Sequence, residues 1–123
     1  MIMFLENNDY FKNSADLYAV MVRFGFDFSL IGSQYLYEML SEAELDASVL
    51  RRKSLQTSMV LADKHSVKIK TFNRDIRWAI AKAFNHGVLK LVPNFKELRK
   101  PPSTKEVLAW LYSYYIEQFT VNE

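Results

Sequence analysis

Residues 61–84, LADKHSVKIKTFNRDIRWAIAKAF, decide how this chain is read. Ala62, with Leu55 and Met59 before it, marks the buried side of a helix running to about Lys64. His65-Ser66 is a polar break, and Val67 follows it. Phe72, Ile76, Ala79, Ile80, Ala83 and Phe84 then recur at helical spacing, forming one apolar stripe that ends before Gly87. Two short helices cross closely when a small residue sits at the crossing, which suits Ala62, and an apolar residue plugs the turn, which suits Val67. This is the layout of a helix-turn-helix. The usual turn glycine is absent, and the spacing alone fits an ordinary αα-corner equally well.

The opposite side of the second helix tips the balance. Lys70, Thr71, Asn73, Arg74, Arg77 and Trp78 lie on or beside the face left over once the stripe is buried. Asn and Arg carry the paired donors and acceptors that read adenine and guanine edges, and here they fall in the first half of the helix, where base contacts are made. The segment from about Lys70 to Asn85 is thus expected in the major groove of double-stranded DNA, with those six residues at the bases. Trp78 has an alternative use, packing on a neighbouring element.

The charge around this segment agrees. The whole chain carries a net +2, but Lys64 to Lys100 holds ten basic residues against Asp75 and Glu97, so the remainder is net negative. One basic face is what a polyanion-binding domain presents, and a merely solvated helix face is the alternative. Lys64, Lys68, Lys82, Lys96, Arg99 and Lys100 are the expected phosphate contacts, the last three in a loop bracketed by Pro93, Pro101 and Pro102.

Outward from here the chain is helical. Ser14 can cap a helix with Leu17, Val20, Met21 and Phe24 at i, i+3, i+4, i+7, stopped by Gly25; Gly32-Ser33 opens another with Leu36, Met39, Leu40 and Ala43. Its end, with Glu42, Glu44 and Asp46, reads as a solvated acidic face. Asp46 or Ser48 starts a short segment, and Val88 to Val92 is either a strand or a tucked-in connection. Ser103 with Glu106 fits a capping box for a last helix burying Val107, Leu108, Leu111 and Tyr115. The expectation is an all-α fold of about six helices, with an arm at 1–15, one domain over 16–119 and a tail at 120–123.

With 123 residues, half of them hydrophobic, the chain can bury one core. Three Gly and three Pro are few for a sandwich or barrel. The absence of Cys excludes disulfide frameworks, thiol catalysis and cysteine metal sites. The apolar start Met1 to Leu5 is too short for a signal peptide or membrane span, so a cytoplasmic protein is expected, associated with a nucleoid or plasmid. His65 and His86 have no metal-ligand spacing, and no catalytic constellation or phosphate-cradling Gly-rich loop stands out. No cofactor, metal or enzymatic activity is expected; His65 reads as a turn residue and His86 as a helix-end residue.

Further residues carry a family resemblance. Gly25 and Gly32 are seven apart, and Gln34-Tyr35-Leu36 follows. Then come Leu61-Ala62-Asp63-Lys64, Arg74-x-Ile76-Arg77-x-Ala79-Ile80 with Gly87, and Pro102-Ser103-Thr104 with Glu106. In order and spacing these resemble the C-terminal DNA-binding effector domain of the master sporulation response regulator of endospore-forming bacteria, over roughly Asp16 to Tyr115. The resemblance implies a six-helix fold with a helix-turn-helix, sequence-specific promoter binding, and pairing of two copies on DNA partly through the last helix. It puts the DNA-reading helix at Lys70 to Phe84 and its two recurrent arginines at Arg74 and Arg77. Lys70, Thr71 and Asn73 stand where the family has Ser-Arg ahead of an acidic residue, and Trp78 stands for His, which implies a different target. The residues ahead of Asp16 leave no room for the family's receiver domain, so a stand-alone effector domain is expected.

Trp110, Tyr112, Tyr114, Tyr115 and Phe119 exceed what one buried stripe needs. Either the chain ends wrap them, or Trp110, Tyr112, Tyr114 and Phe119 form a dimer or partner surface. Two functions follow: a transcriptional regulator binding specific duplex sites as a homodimer, or an interaction module that antagonises a related regulator or another DNA-binding partner.

Overall fold

The computed structural model describes residues 17–120, with side chains through Glu117. The expected Ser14 cap, nearly all of the arm and tail, and the Phe119 side chain lie outside the described residues. Among those described there are five α-helices and no strand: α1 (Leu17–Arg23), α2 (Ile31–Leu45), α3 (Ser54–Lys64), α4 (Ile69–His86) and α5 (Thr104–Thr120). Two short 3-10 turns, Ala47–Leu50 and Val88–Leu91, complete the order. Against the expected count of about six, the described residues hold five, and the ambiguous run Val88 to Val92 is a tucked-in 3-10 turn that buries Leu89. No helix among the described residues is long and apolar enough to cross a membrane.

The centre of the fold is the crossing of α2 over α4. Leu36, Met39 and Leu40 of α2 meet Phe72, Ile76 and Ile80 of α4 in the core, and α5 adds Val107, Leu108 and Leu111. Each such side chain contributes about 1.5–3 kcal/mol by leaving water. The helices approach until backbone meets backbone: a Cβ on Gly32 would lie 1.9 Å from the Asp75 carbonyl oxygen. Only glycine fits there. After α1 the chain turns at Gly25, whose φ of +95° suits a residue without Cβ, and the Phe24 carbonyl accepts from the Leu89 N–H at 3.2 Å, tying this turn to the second 3-10 turn after α4.

Residues 92–103 run from the second 3-10 turn to the start of α5. Val92, Phe95 and Pro102 are buried along this loop, so apolar anchors pin it to the core while Lys96, Arg99 and Lys100 stay outside. At its end the capping box forms as expected: the Glu106 N–H donates to Ser103 Oγ at 3.2 Å, and the Ser103 N–H donates to Glu106 Oε1 at 2.9 Å. Hydrogen bonds to the carboxylate from the Ser103 N–H and from the Ser103 side chain hold the Glu106 carboxyl below its ordinary range.

Two expectations are corrected. Leu55 and Met59 are 64% and 55% exposed, and α3 turns Ser54, Ser58, Leu61 and Ala62 inward instead. Ser54 Oγ is satisfied locally, donating to the Arg51 carbonyl at 3.0 Å, while Ser58 Oγ reaches only the weak acceptor Met39 Sδ of α2 at 3.7 Å. Glu44 is also not part of a solvated face. It is half-buried beside Tyr115, and desolvation pushes its carboxyl up while the hydrogen bond from Tyr115 opposes this.

Candidate nucleic-acid interface

Four residues, His65 to Lys68, join α3 to α4. The Val67 N–H donates to the Ala62 carbonyl at 2.9 Å and the Ser66 N–H to the Asp63 carbonyl at 3.0 Å, the paired bonds of a Schellman turn. Ser66 takes the left-handed position at φ 57°, where the sequence pattern lacked its glycine. His65 Nε2 lies 2.8 and 3.1 Å from the two Glu38 carboxylate oxygens, and Tyr35 stacks on Phe72 with ring centroids 4.4 Å apart. The turn and the first half of α4 are thereby fixed on α2.

With the stripe from Phe72 to Phe84 buried, α4 presents Lys70, Arg74, Arg77 and Trp78 to solvent. At about 100° per residue these four share an arc of about 100°. Trp78 is 63% exposed, so its packing alternative is not realised among the described residues. Arg74 has only a long contact, 3.4 Å, to its neighbour Asp75. Thr71 and Asn73 are partly buried at opposite edges of the face. Asn73 and Arg77 also line a cleft that runs between α3 and the start of α5.

The expected phosphate contacts divide. Lys64 stands 3.8 Å from Glu38, and Lys82 stands 3.7 Å from Asp27, whose carboxyl is held below its ordinary range by hydrogen bonds from Ser29. Both lysines therefore have part of their charge answered within the fold. Lys68, Lys96, Arg99 and Lys100 are exposed and have no ion-pair partner among the described residues. So are Arg51, Arg52 and Lys105, which the sequence reading passed over. Their signal was present as the run Arg51-Arg52-Lys53 and as a lysine one residue into a capped helix, but both fall outside the segment from Lys64 to Lys100. Lys53 is engaged with Asp46 at 2.9 Å; Asp46 also caps the first 3-10 turn, and hydrogen bonds from Ser48 and Lys53 hold its carboxyl well below the usual range.

The aromatic residues of α5 do most of their contacting inside the fold. Trp110 meets Phe24 edge-on at 4.8 Å and Phe95 at 5.7 Å, and stacks on Tyr114 at 5.4 Å. Tyr114 also meets Phe24 at 5.0 Å, and its hydroxyl accepts from an Arg23 guanidinium nitrogen at 3.2 Å. Trp110, Tyr112 and Tyr114 are all half-buried. Of the residues that suggested a partner surface, Trp110 and Tyr114 are thus occupied by packing on Phe24 and Phe95.

The chain was compared with protein-family models, curated proteins and solved structures, and nothing matches.

Proposed function

We propose that this protein binds specific sites on double-stranded DNA and regulates transcription, with α3, its Schellman turn and α4 acting as a helix-turn-helix. In this reading the outward face of α4 enters the major groove, which admits one α-helix. The resemblance to sporulation-regulator effector domains points the same way. The observation that carries the proposal is the make-up of that face: Lys70, Arg74, Arg77 and Trp78 share one rigidly mounted arc, with the exposed Lys68 just before the helix and the exposed Lys105 lining the same cleft as Arg77. A merely solvated face has no need of a tryptophan among arginines. Arg74, at the middle of the arc, is assigned to a guanine edge and Trp78 to a neighbouring base or thymine methyl. Lys68, Lys96, Arg99 and Lys100 are assigned to phosphates. Two copies are proposed to pair on DNA partly through α5, as the resemblance implies.

Selection of bound sites from random duplexes, followed by titration across a salt series, tests this. Log affinity should fall linearly with log salt, by about 0.9 per phosphate contact, while the selected site still outcompetes random duplex. Arg74→Ala should cost about 1–3 kcal/mol on the selected site and relax preference at one base pair. Absence of duplex binding at low salt would reject the proposal in favour of a protein-interaction module.

A further inference from the structure

The cleft beside Arg77 is built by three elements that are separate in sequence. Ser58 comes from α3, Asn73 and Arg77 from α4, and Ser103, Thr104 and Lys105 from the start of α5, around a space of about 460 Å³. Its charged lining residues are both cationic, and no carboxylate lines it. The nearest acid along the chain, Glu106, is turned back onto the Ser103 N–H, closing the capping box. Ser58 is 93% buried, from its 7% relative exposure, and its hydroxyl has only a thioether for company, at 3.7 Å. A thioether is a weak acceptor, so this hydroxyl is available to a better one.

The polar part of this lining is chemically one-sided. Beside the apolar Leu55 it offers a guanidinium, an ammonium, an amide and four hydroxyls, all able to donate, which suits an anion rich in acceptor oxygens. The cleft opens beside the outward face of α4, so the anion within reach in a DNA complex is a backbone phosphate next to the bases that α4 reads. The geometry points to a sugar–phosphate site here, in which Arg77 and Lys105 grip one backbone segment and Arg77 is a positioning residue, not a base reader. This inference rests on the DNA-binding reading and revises the role that the family resemblance gives to Arg77. It also divides the two arginines of α4: Arg74 reads and Arg77 clamps.

The test compares Arg77→Gln, Arg77→Lys, Lys105→Gln and Arg74→Gln on the selected site and on random duplex, each across a salt series. A thermal melt of each variant checks the fold; the substituted side chains are exposed. Arg77→Gln and Lys105→Gln should each weaken both duplexes alike, by about tenfold, as loss of one charge-assisted hydrogen bond implies. Each should also make the salt slope shallower by about one unit. Arg77→Lys should restore the slope and leave the ratio between duplexes as in wild type, since a phosphate accepts a point charge where a guanine edge requires the planar fork. Arg74→Gln should instead lower the ratio. If Arg77→Lys lowers the ratio, Arg77 reads a base and the inference is overturned. It is likewise overturned if Lys105→Gln leaves the slope unchanged, including the case where inorganic phosphate alone stabilises the free protein through the cleft. A wild-type protein that binds no duplex would overturn the functional proposal itself, a result distinct from either of these.

Discussion

Replacing Gly32 with alanine tests the crossing on which the whole face of α4 depends. The new Cβ would stand 1.9 Å from the Asp75 carbonyl oxygen, 2.5 Å from its carbon and 3.0 Å from the Ile76 nitrogen. These are backbone atoms inside a helix, so no rotamer change relieves the clash. Restoring an ordinary carbon–oxygen contact of about 3.3 Å requires α2 and α4 to part by about 1.4 Å. A gap of about 1 Å already forfeits up to half of each dispersion contact it opens, and Leu36, Met39, Phe72 and Ile76 lie in this interface. Overpacking of this kind costs about 3–5 kcal/mol, at or above the usual upper range. Against that, alanine recovers about 1 kcal/mol of helix propensity, the gain it would give at an exposed helical glycine. The net expectation is a loss of about 2–4 kcal/mol, or about 8–16 °C in Tm for a domain of this size. Urea and thermal unfolding followed by circular dichroism would measure it, with exposed Gln34→Ala as a control expected within about 0.5 kcal/mol of wild type. A Gly32→Ala protein within 1 kcal/mol of wild type, or more stable, would refute the account of the crossing.

Trp110→Ala should cost about 3 kcal/mol in unfolding experiments, because the indole fills the space between Phe24, Phe95 and Tyr114; a fully stable variant would mean that the cluster is not structural. Ser66→Gly should raise stability by about 0.5–1 kcal/mol, since glycine relieves the left-handed strain of the turn at a smaller cost in chain entropy, whereas Ser66→Val should lower Tm. Glu44 is held protonated to a higher pH in the folded state than in the unfolded one, so the folded state binds the extra proton and stability falls as pH rises through and above the ordinary carboxylate range. Glu44→Gln should therefore raise Tm at pH 7 and leave it nearly unchanged in acid, where the native carboxyl is already neutral; an equal shift at both pH values would assign the effect to packing instead.

The stripe of α4 was legible in the sequence because its helical period was complete: every residue from Phe72 to Phe84 assigned to the core is buried. The stripe of α3 was misread because Leu55, Met59 and Ala62 also keep a helical period, and hydropathy cannot foresee that Ser54 and Ser58 are accommodated inside by a carbonyl one turn back and by a thioether. The excess of aromatic residues on α5 was visible, but their use was not. Trp110 finds Phe24 and Phe95 only after the chain folds, so the sequence left wrapping and partner binding equally open. Within the candidate site, the residue types on α4 could be read directly, yet the division between Arg74 and Arg77 could not. It depends on where α5 starts relative to α4, and nothing in the spacing between Arg77 and Lys105 announces that they share a cleft.

The buried anchors of the 92–103 loop have a consequence for the cost of association. A run such as Lys96 to Lys100 between prolines reads as a free tether that must be ordered whenever it meets a charged partner, at about 1–2 kcal/mol of entropy for each backbone residue fixed. Here Val92, Phe95 and Pro102 are already seated in the core, and that ordering was accomplished during folding. An anion arriving at this edge has only the lysine and arginine side chains left to immobilise, at about 0.5–1.5 kcal/mol each. In the proposed DNA complex the loop would therefore serve as a preorganised shelf, its ordering entropy met by the stability of the fold and not by the affinity of the complex.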